Sequence, residues 1–329
     1  MGTFGDTLAA RVAERESQIV LGLDPDPAAL WPGGLEGRSS QDVEVPPVQR
    51  AGVAILRHCL ALIDAVAPAC VAVKLQLARF EVLGATGQTI LSALAAHARE
   101  AGLLVIADGK RGDIDVTAQA YADSLFGGRE TPFGPVPGLG ADMITVNPLM
   151  GRDSIEPFVA AARAIGAGVL VLVRTSNPGA ADVEDLELAG GGRVWERLAG
   201  LVEDLGEDLG RPGLGGTGGE SALSGGEGGL SGGEGGLSDV GAVVGATAPE
   251  HLLRARELMP SAVFLLPGVG AQGGRVEDLS PAFAPGRAAG LITASRSIAG
   301  AHLVAGGEPA VAARAEAERL RELAWGLSG

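Results

Sequence analysis

The chain has 329 residues, 46% of them apolar, and a net charge of −15, which allows a large buried core and argues against broad attraction to nucleic acid or anionic lipid. An anion site, if present, must be built locally from a few chosen groups. The two cysteines, Cys59 and Cys70, lack zinc or disulfide spacing and the charged N-terminus lacks an apolar signal core, so a cytoplasmic protein is expected.

Eight short apolar runs recur along the chain, each closed by turn residues. IVLGLDP begins at Ile19 and carries Asp24 near its end. CVAVKLQ begins at Cys70 and carries Lys74 and Gln76. LLVIADGK, from Leu103, ends on Asp108 and Lys110, and MITVNPL, from Met143, ends on Asn147. GVLVLVRT, from Gly168, leads into Arg174 to Asn177 and so includes Ser176. VGAVVGAT follows from Val240, AVFLLPGV from Ala262 with Gln272 and Gly273 just beyond it, and GLITASRS from Gly290 with Arg296 at its end. Between most of them lie stretches with helical spacing, such as ILSALAAHAREAG and PEHLLRARELM. Strand then helix, repeated, means parallel βαβ units. Eight units imply a closed (β/α)8 TIM-type barrel forming a single α/β domain over residues 1–329; periodicity alone leaves an open doubly wound sheet as the alternative.

Residues 210–238 are of another kind, with SGGEGGL repeated in tandem at Ser224 and Ser231. Such sequence has too little apolar surface to offset its ordering entropy and is expected to form a flexible surface insertion.

In a barrel of this kind chemistry gathers at the C-terminal ends of the strands, where these polar residues fall. Of 25 basic residues only Lys74 and Lys110 are lysines. Arginine does not release a proton at neutral pH, so a lysine retained in an arginine-rich chain marks a place where a compact, titratable ammonium is needed. Asp108 and Lys110, two apart on an extended segment, share a face. A lysine beside carboxylates keeps its proton and is suited to donate it rather than to form a Schiff base. Asp113 either joins this cluster or serves as a first-turn or capping acid of the following helix. PGVGAQGG, from Pro267, with Arg296 at the end of the next run, reads as a phosphate site built from glycine N–H groups and a forked guanidinium. The four histidines, His58, His97, His251 and His302, share no ligand spacing, and no GxGxxG fingerprint is present. Neither a metal nor a nicotinamide cofactor is expected.

These residues resemble the orotidine 5′-monophosphate decarboxylases, in particular the longer bacterial variety. The pattern D-x-K-x-x-D-I-x-x-T is present as Asp108, Lys110, Asp113, Ile114 and Thr117, supported in order by Lys74, LGLDPDP, VNPLMG, VRTSNPG, PGVGAQGG and Arg296. The resemblance implies a cofactor-independent homodimer that makes UMP and CO₂ in pyrimidine synthesis. It implies Lys74, Asp108, Lys110 and Asp113 as catalytic residues, with Asp113 and Thr117 reaching in from the partner subunit. Asp24 would hold the ribose, Ser176 the pyrimidine, and Gln272, Gly273 and Arg296 the phosphate, while Asn147 completes the substrate-binding set. The chain departs from the family where glycine often follows the motif isoleucine; here that residue is Asp115. A metal-dependent sugar-phosphate enzyme of the same kind, or a non-catalytic phosphate-binding barrel, remains open on the sequence.

Overall fold

The computed structural model describes residues 3–32, 45–208, 236–270 and 272–328. In chain order the elements are α1 (Phe4–Arg15), β1 (Ile19–Leu23), α2 (Pro47–Val66), β2 (Ala72–Gln76), α3 (Ala78–Glu81), α4 (Ala85–Glu100), β3 (Leu104–Arg111), α5 (Asp115–Leu125), β4 (Arg129–Thr131), β5 (Gly134–Val136) and β6 (Met143–Val146). They continue with α6 (Glu156–Ile165), β7 (Gly168–Arg174), α7 (Val194–Asp208), β8 (Val240–Val244), α8 (Leu252–Leu258), β9 (Phe264–Leu266), β10 (Gly290–Ala294), α9 (Arg296–Ala299), α10 (Ala301–Ala305) and α11 (Pro309–Leu327). Eight strands close a parallel barrel in the order β1, β2, β3, β6, β7, β8, β9, β10 and back to β1. Seven lie within the apolar runs read from the sequence and β3 extends one residue past its run, to Arg111; the closed barrel excludes the open doubly wound sheet.

Side chains alternate across each strand, and this sorts them into two apolar clusters. Val73, Val105, Ile144 and Val171 face outward under the helices. Ala72, Leu104, Ile106, Met143 and Leu170 face inward and fill the barrel. Carrying the inward set two residues further toward the C-terminal ends reaches Lys74, Asp108 and Thr145, all buried. The same alternation that packs the barrel thus delivers the polar groups to its upper rim.

The lower mouth is closed by α1, whose Phe4, Leu8 and Val12 join the inner cluster. A capping box starts this helix: Thr3 Oγ1 accepts from the Asp6 N–H at 3.2 Å and the Thr3 N–H donates to Asp6 Oδ2 at 2.9 Å. A Cβ on Gly168 would stand 2.8 Å from the Phe4 ring, so glycine there lets the plug seat.

Three features depart from a plain strand and helix alternation. A two-stranded antiparallel hairpin, β4 and β5, stands between α5 and β6, with Phe133 99% exposed at its tip. After β9 the chain runs through a 3-10 helix, Val276–Phe283, in place of an α-helix, with Pro281 inside it; proline removes a donor and breaks the longer-range ladder. The stretch Pro47–Ala69 is, among the described residues, the one helical segment long and apolar enough to cross a membrane, with mean hydropathy 1.5. Here Ile55, Cys59, Leu62 and Val66 turn its apolar face into the outer core.

Of the glycine-rich segment expected at 210–238, residues 210–235 lie outside the described residues. At its C-terminal end Leu237 packs against the inner cluster at the plugged mouth, and Ser238 donates its N–H to the Ser261 carbonyl at 2.9 Å.

Candidate active site

The densest polar cluster joins β2, β3 and β6. Asp108 receives Lys74 Nζ on Oδ2 at 2.6 Å and Lys110 Nζ on Oδ1 at 2.6 Å. The Thr145 hydroxyl donates to Oδ1 at 2.9 Å. Lys74 also lies 3.9 Å from Asp24 Oδ1, so its ammonium stands between two carboxylates. Burial alone would raise the Asp108 carboxyl, but the two flanking ammonium groups overcome it and hold the acid at about 2. Asp108 is therefore an ionised, buried carboxylate at neutral pH.

Asp108 and Lys110 meet as expected, but strict strand alternation is not the cause. The pairing of β3 with β6 shifts between Ala107 and Arg111. Within that irregularity Lys110 takes φ +47°. A bulge with a left-handed residue re-aims side chains at the end of a strand, and here both groups are brought to the barrel axis.

The cluster forms part of the floor of a cavity of about 440 Å³. Asp24, Ser176, Gln272 and Arg296 line it as well, so seven of the eleven candidate residues meet there: these four with Lys74, Asp108 and Lys110. One side of the floor is polar and the other, made by Leu172, Val243 and Leu265, is apolar. Asp24 Oδ1 is buried without a hydrogen-bond partner, its nearest cation the Lys74 ammonium at 3.9 Å. The exposed Arg296 guanidinium has no hydrogen-bond or ion-pair partner among the described residues, which suits it to an anion. Ser176 sits on Gly245, where a Cβ would come within 2.7 Å of the serine Cα; the glycine makes room for the β7 loop at the cavity wall.

The glycine-rich loop after β9 works differently from the expectation. The N–H groups of Gly270, Gly273 and Gly274 donate to carbonyls of Gly274, Gly270 and Gly268, all near 3 Å. They are consumed in folding the loop, and what Gly273 supplies is a left-handed turn, φ +93°. On this side the Gln272 and Arg296 side chains line the cavity.

Asp113, Thr117, Asn147 and Gly273 do not line the cavity. Asn147 is exposed, and its Oδ1 accepts from the Leu149 N–H at 3.0 Å, a turn at the end of β6. Asp113 does not cap α5: the cap residue is Ile114, no side chain caps the helix, and Asp113 Oδ1 accepts only its neighbour's N–H at 2.8 Å. Thr117 is exposed beside it, with the apolar side chains of Ile114, Val116 and Leu149 also open to solvent. Asp115, directly after the motif isoleucine Ile114, takes φ +49°. That is the region glycine enters freely and aspartate tolerates at a cost.

Sequence reasoning missed Thr145, Thr293 and Glu184, which also line the cavity. Thr145 and Thr293 could have been found as the polar members of the inward strand set. Glu184 carries no such signal. It is drawn in because it accepts from the Thr175 N–H and hydroxyl at 2.8 and 2.9 Å, while neighbouring Asp185 takes both arms of Arg174 at 2.9 Å. The histidines lie elsewhere: His97 pairs with Asp64 at 2.6 Å, and burial lowers His58 to about 4.

The profile of the Orotidine 5′-phosphate decarboxylase / HUMPS family matches residues 17–213. The chain is 38% identical over 303 residues to the orotidine 5′-phosphate decarboxylase of Rhodopirellula baltica, covering 92% of this chain and 90% of that one. To the Deinococcus radiodurans enzyme of the same name it is 38% identical over 296 residues, covering 90% and 89%. Among solved structures, that of Leishmania donovani OMP decarboxylase superposes with a TM-score of 0.67 at 27% identity, over 98% of this chain and 99% of that chain.

Proposed function

The chain belongs to the orotidine 5′-phosphate decarboxylase / HUMPS family, and from that premise we propose that it is a carboxy-lyase converting orotidine 5′-monophosphate to UMP and CO₂, the last step of pyrimidine nucleotide synthesis. The observation that carries this reading is the ionised Asp108 gripped between two ammonium groups on the cavity floor. Loss of CO₂ from C6 of the pyrimidine leaves an electron pair on a carbon with little delocalisation. A fixed positive charge beside C6, held in place by Asp108, stabilises that transition state without reorganising. Lys110 Nζ supplies the charge and then its proton: the C6–carboxylate bond breaks, the pair stays on C6, and the new C6–H bond takes it up. Water returns the proton to Lys110. Lys74 holds Asp108, and Asp108 holds Lys110.

The rest of the substrate is assigned by the groups left open around this centre. Asp24, whose Oδ1 lacks a hydrogen-bond partner, receives a ribose hydroxyl; Ser176 faces the ring; Gln272 and Arg296 take the phosphate, with Gly273 shaping their loop. Asp113 and Thr117 act in the site of a second subunit, with Asn147 beside them. The exposed Ile114, Val116 and Leu149 support this by supplying apolar surface that a second copy would cover. No metal or organic cofactor takes part in the reaction. A metal-dependent sugar-phosphate reaction would need a cation among the carboxylates, and here Lys74 Nζ already stands between Asp24 and Asp108. Two buried thiols, Cys59 and Cys70, raised to about 12 by burial, suit a cytoplasmic enzyme.

The test is product identification: purified protein with carboxyl-labelled orotidine 5′-monophosphate should release labelled CO₂ and leave UMP, and the folded Lys110→Ala variant should do neither. Near-normal turnover by that variant would overturn the proton-donor assignment, and no release by the parent would overturn the reaction.

A further inference from the structure

Three residues of β3 face one residue of β6. Pairing passes from Ala107 opposite Ile144 to Arg111 opposite Val146, which leaves Asp108, Gly109 and Lys110 opposite Thr145 alone. The extra length is taken up at Lys110, φ +47°, and its N–H is turned out of the ladder. A buried N–H without a partner is costly. Here it donates to Thr145 Oγ1 at 2.9 Å. The same hydroxyl has one proton, and it goes to Asp108 Oδ1 at 2.9 Å, the oxygen that also receives Lys110 Nζ. Thr145 is 1% exposed.

From this we infer that Thr145 is a positioning residue for the reaction: its hydroxyl fixes the left-handed backbone of Lys110 and the orientation of Asp108 together, and so sets where the ammonium stands relative to C6. The inference rests on the decarboxylase reading of the site. It explains why a lone hydroxyl interrupts the otherwise apolar strand Met143–Val146. Valine has nearly the same shape and leaves both the Lys110 N–H and a carboxylate lone pair unpaired; serine keeps both bonds and loses one methyl group.

Thr145→Val should lower kcat by about ten- to a hundred-fold, the factor expected when a hydrogen bond to a charged group is lost, with KM changed less than about threefold because the bonds lost are to Lys110 and Asp108 rather than to substrate. Thr145→Ser should return kcat to within about fivefold of the parent. A merely structural role would lower folded yield or stability without this split between kcat and KM and without rescue by serine. A folded Thr145→Val enzyme with parental kcat, or a serine variant as slow as the valine one, would overturn the inference. Should the valine variant fail to fold, Thr145→Ala carries the same comparison. A crystal structure of the valine or alanine variant gives a reading independent of turnover: Lys110 should leave the left-handed region and its contact with Asp108, and an unchanged β3 end would refute the positioning role. If the parent itself does not convert orotidine 5′-monophosphate, the decarboxylase reading falls, and this structural comparison still decides what Thr145 holds.

Discussion

Replacing Asp108 by asparagine keeps the shape of the side chain and removes the one charge that serves both lysines. Lys74 is 6% exposed, and its remaining acidic neighbour, Asp24, is 3.9 Å away. Holding the Asp108 carboxyl at about 2, against 3.8 for an unperturbed group, corresponds to about 2.5 kcal/mol of folding free energy at neutral pH. Breaking a buried ion pair by removing one member costs about 3–5 kcal/mol, and Lys110, which is partly exposed, relaxes into solvent and lowers that figure. Asp108→Asn is therefore expected to destabilise the folded protein by about 2–4 kcal/mol at pH 7. The sign of the pH dependence follows from the lowered acid. Its contribution is fully present above pH 3.8 and is lost as the pH falls through about 2. The gap between parent and variant should stay flat from pH 7 to 5 and narrow below 4. Urea denaturation of both proteins, followed by tryptophan fluorescence down to the lowest pH at which both still fold, measures it. Equal stability at pH 7, or a gap that does not narrow in acid, would refute the view that Asp108 is an ionised clamp.

Three further outcomes are expected. Arg296→Ala should raise KM and lower kcat/KM by at least about tenfold through loss of a charge-assisted phosphate contact, whereas Arg319→Ala, which removes only a surface pair with Glu316, should leave both within twofold; steady-state kinetics compare them. Asp115→Gly should stabilise the chain by about 0.5–1 kcal/mol in urea denaturation, because glycine enters φ +49° without the strain an L-residue carries there; destabilisation would mean that the Asp115 side chain has a role of its own. Lys110→Ala and Asp113→Ala, each nearly inactive alone, should recover about a quarter of parental activity once their subunits exchange, since half the dimers then hold one intact site of two; a mixture as inactive as its parents would place Asp113 in its own subunit's site or in none.

The barrel could be read from the sequence because parallel strands buried on both faces appear as uninterrupted apolar runs, and because Lys74 and Asp108 fall on the inward beat of those runs. Other parts were not read for physical reasons. Phe4, Leu8 and Val12 have the spacing of a helix face, yet the charged residues between them mask a plug that only the barrel mouth makes apolar. The 3-10 segment after β9 depends on Pro281 and on packing. That Gly270, Gly273 and Gly274 spend their N–H groups within the loop, and that a bulge rather than simple alternation brings Lys110 to Asp108, are products of register, which a single sequence does not reveal. Glu184 is held at the cavity wall by Thr175 and Arg174, contacts that only the folded chain brings together.

The most direct test of the account is to mix purified, chelator-treated protein with orotidine 5′-monophosphate and follow the loss of substrate absorbance. Complete conversion to UMP without added metal is the predicted result. No loss of absorbance, or loss only after a divalent metal is restored, would contradict it.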